Sequence, residues 1–192
     1  IVYFAQDNTT NNPTITDTAG NTYVNDHGGG TFDVNTYVYS AHNIAALAAG
    51  DMITITHDSL NARAGVAANF TNLATSGTKD QSAATTGTSA NPLSPSVTTT
   101  QTDELIIGAI GVEGPLDDSW TKGSTYTDID RNGTTGGGAA SNITINAEYK
   151  IVTATDSYSA DGTITSRDWM ANIVTYKAKA KVVSAEITNN GT

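Results

Sequence analysis

The chain of 192 residues has a formal net charge of −10 and contains no cysteine. Only 15% of its residues are charged, whereas threonine (33 residues), glycine (18) and asparagine (17) are abundant. The lack of cysteine excludes disulfides and thiolate metal sites, and the negative charge argues against nucleic acid as a partner. Because helix-forming residues are scarce and threonine favours strands, the composition indicates an all-β protein.

An apolar segment opens the chain and is followed by a polar stretch up to residue 12. The pattern predicts an N-terminal strand or arm at 1–12 and a β-sandwich domain at 13–192. This strand either pairs within its own sheet or is inserted into a neighbouring subunit, an arrangement that builds head-to-tail assemblies. We expect the second arrangement, with an assembly strand formed by Ile1, Val2, Tyr3, Phe4 and Ala5.

Three later segments, 31–39, 52–57 and 142–151, alternate apolar and polar residues with the period of a half-buried strand. In the last of them Ile143 and Ile145 share one face, whereas Glu148 and Lys150 lie on the other, which is expected to face solvent. The segments 105–112 and 169–176 are apolar on both faces, which is typical of central strands. The glycines of the first predict close packing against a neighbouring layer. A last strand is predicted at 182–187.

Two stretches interrupt this series of strands. The composition of His42–Ala49 allows a short helix, which Gly50 would end. Residues from about 76 to 101 form a low-complexity stretch of small and polar residues, predicted to be a surface excursion with an edge strand at 96–102. Together the elements predict a single antiparallel β-sandwich of jelly-roll type with at most one short helix.

The segment from Asp128 to Gly133 has oxygen-bearing side chains at every second position. Asp128, Asp130 and Asn132 match the first half of a calcium-binding loop, in which a glycine allows the sharp turn. Ala139 stands where such a loop would carry a bidentate glutamate, and a β-turn at Asn132–Gly133 explains the same residues. Ca²⁺ is therefore a possible ligand, and no other cofactor is predicted.

Exposed aromatic rings stack on sugars, and Trp120 with Tyr126 is a candidate carbohydrate platform. This gives an alternative function as a lectin-like module, calcium-assisted if the neighbouring acidic loop holds an ion. The three histidines, His27, His42 and His57, are widely spaced and do not demand a metal site. Five glycosylation sequons are present, at Asn8, Asn69, Asn132, Asn142 and Asn190.

No residue pattern points to catalysis. The chain has no Gly-x-Ser-x-Gly motif and no cysteine nucleophile, and the adjacent acids at 103–104 and 117–118 are interpreted as solvated turn residues. A non-enzymatic protein is therefore predicted. No stretch approaches the roughly 18 apolar residues of a membrane-spanning helix, so no membrane span is expected.

Three stretches, 17–23, 103–115 and 166–176, carry a family resemblance. They contain an Ala-Gly-Asn turn before a strand, a Glu-Leu-Ile-Ile-Gly strand and a strand with a tryptophan. Together they resemble a Thr/Gly-rich β-sandwich module of bacterial exported proteins and of phage tail or virion proteins. The resemblance implies a concanavalin-like or jelly-roll fold and a surface role, and it implies no reaction.

These observations lead to one functional prediction and one alternative. We expect a structural subunit of an extracellular filament or surface assembly, or a related phage virion protein, whose partners are copies of itself. The alternative is the carbohydrate-binding module, with a glycan as ligand. Either function would place the protein outside the cell, at a cell surface or in a virion.

Overall fold

The structure is a computed structural model that describes residues 1–8, 11–29 and 32–180. In these ranges the first half of the chain forms β1 (Val2–Asp7), β2 (Thr14–Asp17), β3 (Val24–Gly28), β4 (Val34–Ser40), β5 (Ile53–Thr56) and β6 (Arg63–Ala67). The next four strands are β7 (Lys79–Ser89), β8 (Val97–Thr98), β9 (Asp103–Val112) and β10 (Trp120–Lys122). The remaining strands are β11 (Thr127–Asp128), β12 (Asn132–Gly133), β13 (Thr144–Thr153), β14 (Ser157–Tyr158), β15 (Gly162–Ile164) and β16 (Arg167–Lys177).

Two antiparallel sheets form the body of the molecule. The first has the order β3-β4-β1-β6, and the second has the order β11-β13-β9-β16-β7, with β12 also paired to β13. The all-β class and the antiparallel sandwich are thus confirmed. The strand order refines the jelly-roll part of the prediction, because the chain completes one sheet before it begins the other, whereas successive strands of a jelly roll alternate between sheets.

The core lies between the inner faces of the two sheets. Tyr3, Ala5 and Val38 of the first sheet are buried against aliphatic side chains of β9, β13 and β16 in the second. The glycines of β9 allow the close packing that the sequence predicts, since a Cβ at Gly111 would lie 3.0 Å from the Cβ of Ala5. β9 and β16 are buried along almost their whole length, as expected for central strands.

Additional strands cover the outer face of each sheet. β2 and β5 lie on the first sheet, where Ile15 packs with Phe4 and Tyr37. The pairs β8–β14 and β10–β15 lie on the second sheet, where Ile164 packs with Ile110 and Trp169. Both sheets are therefore buried on both faces, and the polar face of β13 is buried rather than exposed as far as Glu148.

Residues 42–49 form an irregular, largely exposed loop, so the short helix that the composition allows does not form. The side chain of Asn21 binds the backbone of Ala45 at both N–H (2.8 Å) and C=O (3.1 Å), which replaces helical hydrogen bonds. Asn43 adopts a positive φ of 53° that no helix contains. In the described ranges the helical structure is one 3₁₀ turn at Ala139–Ser141, and no helix could span a membrane.

Candidate functional site

The predicted assembly strand lies in the middle of the first sheet. β1 pairs with β4 along one edge and with β6 along the other, and Val2, Tyr3, Phe4 and Ala5 are all at most 2% exposed. Both rows of main-chain hydrogen-bonding groups are thus used within the chain. The prediction that β1 is donated to a neighbouring subunit is therefore wrong. A donated β1 would have to leave both of its partner strands, β4 and β6, in its own chain.

The low-complexity stretch contains the strand that ends the second sheet. β7 is 11 residues long and pairs with β16 on one side, from Lys79 to Ser89. Among the described residues no strand pairs with its other side. The predicted strand at 96–102 shortens to β8, which belongs to the layer above the second sheet. The edge strand therefore begins at Lys79, 17 residues before the position predicted for it.

The charges near the start of β7 are held within the molecule. Lys79 donates through Nζ to the carbonyl oxygen of Asp26, at 2.5 Å. Asp80 accepts hydrogen bonds from the backbone and hydroxyl groups of Thr100, at 2.7 and 2.6 Å, and lies 3.1 Å from the Nζ of Lys177. From Gln81 to Ser89 the strand carries no charged residue.

The proposed calcium ligands do not converge. Asp128 accepts a hydrogen bond from Trp120 Nε1 (3.0 Å), in the layer outside the second sheet. Asn132 instead donates to the carbonyl oxygen of Gly65 (2.9 Å), which lies on an edge strand of the first sheet. The calcium-loop interpretation is corrected, because this segment forms β11 and β12 and directs these two side chains to different layers.

A separate group of acids does converge at one end of the sandwich. The carboxylate oxygens of Asp33, Glu113 and Asp168 lie within 4.8 Å of one another. Partial burial raises the pKa of Glu113, and the charges of Asp33 and Asp168 raise it further. The three acids are far apart in sequence, so spacing along the chain gives no signal of this group.

The predicted sugar platform is wrong for Tyr126. This side chain is 4% exposed and donates its hydroxyl proton to the carbonyl oxygen of Ser159, at 2.8 Å. Burial raises its pKa. Trp120 is half-buried and packs on the cluster around Ile164. Its indole N–H is bound to Asp128, so the two rings do not form one exposed surface.

The sequons differ in exposure. Asn8, Asn69 and Asn132 are exposed, whereas Asn142 is 1% exposed and donates to the carbonyl oxygens of Gly136 and Gly138. Burial removes Asn142 as a glycosylation site. Asn190 lies outside the described residues, as does the strand predicted at 182–187.

Two buried glutamates were not identified as special by the sequence. Glu148 is fully buried beneath the outer layer, where burial raises its pKa to about 7. Its Oε2 accepts a hydrogen bond from Gly123 N–H (2.9 Å), and Oε1 has no partner in hydrogen-bonding geometry. Glu104 is 1% exposed, and burial raises its pKa as well.

Glu104 and Asp80 form an acid–base pair that is closed to substrates. Burial opposes ionisation of Asp80, but hydrogen bonds from Thr100 and Lys177 outweigh it and lower the pKa to about 2. The interaction between the two carboxyl groups lowers the pKa of Asp80 and adds to the effect of burial in raising the pKa of Glu104. Both side chains are at most 3% exposed, so this pair stabilises the junction of β7, β9 and β16.

A cavity lies beside the start of β1, between the loop after β4 and the segment after β6. It measures about 590 Å³ and contains His42 in its wall. Of the other two histidines, His27 contacts the Ser82 hydroxyl (3.2 Å) and His57 stacks on Phe4 with ring centroids 5.8 Å apart. The three imidazoles therefore do not share a site.

Comparison of the chain with protein-family models, with curated proteins and with solved structures finds no match. The resemblance to a β-sandwich module of exported and virion proteins stays a prediction.

Proposed function

We propose that this chain is a non-enzymatic structural module that joins a second copy of itself through the free edge of β7. The observation that carries the proposal is the position of this 11-residue strand at the end of the second sheet, with its outer side unpaired among the described residues. We keep the assembly role predicted from the sequence, but we propose β7 instead of β1 as the strand that joins the two copies.

From Gln81 to Ser89 the edge lacks the proline and the charged residues with which natural proteins often block unwanted pairing, and a β-bulge lies only at its start. Edges that are blocked in this way are short, contain proline or carry charges, because unpaired main-chain groups attract other strands. The segment from Gln81 to Ser89 is long, contains no proline and has no charged side chain. Small residues such as Ala83, Ala84 and Gly87 let another backbone approach closely.

Charge favours this edge over the rest of the surface for contact between copies. The chain carries a net charge of −10, so most surface contacts between two copies bring like charges together. Lys79 and Asp80 are of opposite sign and are engaged within the chain. Antiparallel pairing of two β7 strands would join two second sheets into one continuous sheet about a two-fold axis.

A lysine on the edge tests the proposal directly. Thr86 is exposed on β7, and Thr86→Lys places two equal charges at the proposed junction. Thr153→Lys, at an exposed position on β13, is the matched control because it adds the same charge away from the edge. We expect light scattering after size exclusion to show a concentration-dependent dimer for the wild type and the control and a monomer for Thr86→Lys.

Thermal unfolding establishes that each variant is folded before its mass is interpreted. A wild-type chain that stays monomeric up to its solubility limit would overturn the proposal. Equal association of Thr86→Lys and Thr153→Lys would also overturn it, because it would locate the contact elsewhere. The filament or virion role and the location outside the cell are tested separately, by electron microscopy of the native material.

A further inference from the structure

The cavity beside the start of β1 has a mixed polar and apolar lining and is bounded by a loop with exposed aliphatic side chains. Its apolar lining includes Val2, Ile44, Leu47, Ile53, Phe70 and Leu73, and its volume of about 590 Å³ is within the range of small-molecule sites. Ile44 and Leu47 remain 40% and 37% exposed at the rim. The basic groups in the lining are the imidazole of His42 and the amino group of Ile1, which donates to the carbonyl oxygen of Ala68 (2.9 Å), and no lining residue carries a carboxyl group.

His42 is the outer end of a chain of hydrogen bonds that leads into the core. Its Nε2 lies 2.8 Å from the hydroxyl oxygen of Ser40, which is itself 1% exposed. Ser40 is also hydrogen-bonded to the hydroxyl of Tyr176, which donates to Asp26 Oδ2 at 2.6 Å. The His42 ring contacts the Tyr176 ring, with centroids 5.7 Å apart.

A β-bulge places the carboxylate at the inner end of this chain. Asn25 pairs with Tyr39 and His27 pairs with Val38, so Asp26 is the extra residue between them. Asp26 is 6% exposed, Lys79 Nζ donates to its backbone oxygen, and the amino group of Ile1 interacts electrostatically with its carboxylate. The carboxylate is thus held inside the sandwich with Tyr176 as its side-chain donor.

The carboxylate sets the direction of every proton in the chain. An ionised Asp26 can only accept, and it takes the single hydroxyl proton of Tyr176. The Tyr176 oxygen then accepts from Ser40, and the Ser40 oxygen accepts from Nε2–H of His42. This order leaves a neutral imidazole with Nδ1 as a hydrogen-bond acceptor, and burial, which lowers the pKa of His42, favours the same neutral form.

We infer that this cavity binds a small neutral molecule that has an apolar body and one hydroxyl or N–H donor for His42 Nδ1. The apolar side chains of the lining supply the affinity, and the fixed acceptor at His42 Nδ1 supplies the selectivity for a donor. An anion is disfavoured because burial lowers the pKa of His42 and lowers the pKa of the Ile1 amino group to about 6, so that neither basic group of the lining favours a buried negative charge at neutral pH.

Three probes of similar size distinguish these features: phenol, which has a donor, toluene, which has none, and benzoate, which is an anion. Each is titrated by calorimetry into the Thr86→Lys variant, so that association through β7 does not contribute. We expect phenol to bind roughly 3- to 10-fold more tightly than toluene, the effect of one net hydrogen bond, and benzoate to bind more weakly than both.

Replacing the imidazole removes the selectivity. His42→Phe is expected to bind phenol and toluene equally, whereas His57→Phe, which removes an imidazole outside the cavity, keeps the difference. Ser40→Ala is expected to reduce the preference for phenol while toluene binding stays unchanged. Toluene binding at least as tightly as phenol, or no binding of either ring, would overturn the inference.

The tautomer is measured independently of any ligand. Nitrogen chemical shifts of the His42 ring, from long-range proton–nitrogen correlation spectra, are expected to show a protonated Nε2 and an unprotonated Nδ1. The opposite tautomer would overturn the inference even if a ring compound binds, because Nδ1 would then be a donor. Failure of this test leaves β7 association unaffected, since the two sites share no residue.

Discussion

The outer faces of the two sheets are both buried, but they differ in chemistry. On the first sheet, Phe4 and Tyr37 pack against the apolar residues of β2 and β5. On the second sheet, Ile106 and Ile173 are accompanied by the buried carboxyl groups of Glu104 and Glu148. The two outer layers therefore differ in that one covers mainly apolar and aromatic side chains, whereas the other also buries two carboxyl groups.

Phe4→Ala is the largest expected disturbance of the apolar outer face. Phe4 is 2% exposed and contacts both Tyr37 and His57. Loss of its ring leaves a cavity, and we expect the free energy of unfolding to fall by about 3–5 kcal/mol in urea titrations. The control Thr16→Ala, at an exposed position of β2, is expected to change it by less than about 0.5 kcal/mol. Equal effects of the two substitutions would contradict the central placement of β1.

Glu148 is expected to make the second outer face sensitive to pH. Burial raises its pKa from 4.5 to about 7, so the folded chain binds more protons than the unfolded chain between these values. The stabilising contribution is complete below about pH 4.5 and is lost as the pH rises to about 7. The expected loss at this site is about 3 kcal/mol in the free energy of unfolding.

The variant Glu148→Gln isolates this contribution. We expect denaturant titrations at a series of pH values to show a weaker fall in stability for Glu148→Gln than for the wild type. Asp130→Asn, which changes an exposed acid, should keep the wild-type slope. If the free energy of unfolding falls equally steeply with pH for the wild type and for Glu148→Gln, ionisation of Glu148 does not destabilise the folded chain. That result would contradict the burial of this carboxyl group.

Gly108→Ala tests how closely the outer layer lies on the second sheet. A Cβ at this position would be 2.7 Å from Cγ of Glu148 and 2.8 Å from Cβ of Ala160. We expect overpacking to reduce the free energy of unfolding by about 1–3 kcal/mol, measured by thermal unfolding. Gly138→Ala is the control, because a Cβ there meets no atom within 4 Å. If Gly108→Ala leaves the free energy of unfolding unchanged, the outer layer can move away from the second sheet to make room for the methyl group.

Glu113→Gln is expected to have the smallest effect and the opposite sign. Burial and the charges of Asp33 and Asp168 raise the pKa of Glu113, so its ionised form destabilises the folded chain above its ordinary pKa. Removing the charge is expected to raise stability at neutral pH by about 0.5 kcal/mol. The gain should shrink in high salt, where such repulsion is screened. A loss of stability in low salt would contradict the like-charge interpretation.

The sequence predicted the class of fold and most strands because local alternation decides them. It did not predict how many layers cover a strand. In β13 the face of Asn146 and Glu148 looks solvent-exposed from its polarity, but β10, β14 and β15, which come from other parts of the chain, cover the second sheet. Polarity alone does not show burial when a carboxyl group can stay protonated.

The misplacement of β1 and β7 has a related cause. β1 is apolar on both faces, which fits a donated strand and a central strand equally well, and only the pairing partners distinguish them. β7 looks unstructured because its small polar residues give no periodic signal, yet β16 supplies a full set of main-chain partners. Asp26 and Tyr176 lie 150 positions apart, so no local pattern could reveal that they are in contact.

The order in which the chain builds its two sheets has a consequence for protein synthesis. All four strands of the first sheet lie within the first 67 residues, whereas β16, the strand between β9 and β7, follows the other strands of the second sheet in the sequence. During synthesis the strands of the first sheet therefore exist before the second sheet has its central strand β16. A stop codon before residue 167 would leave β7 and β9 with no strand between them.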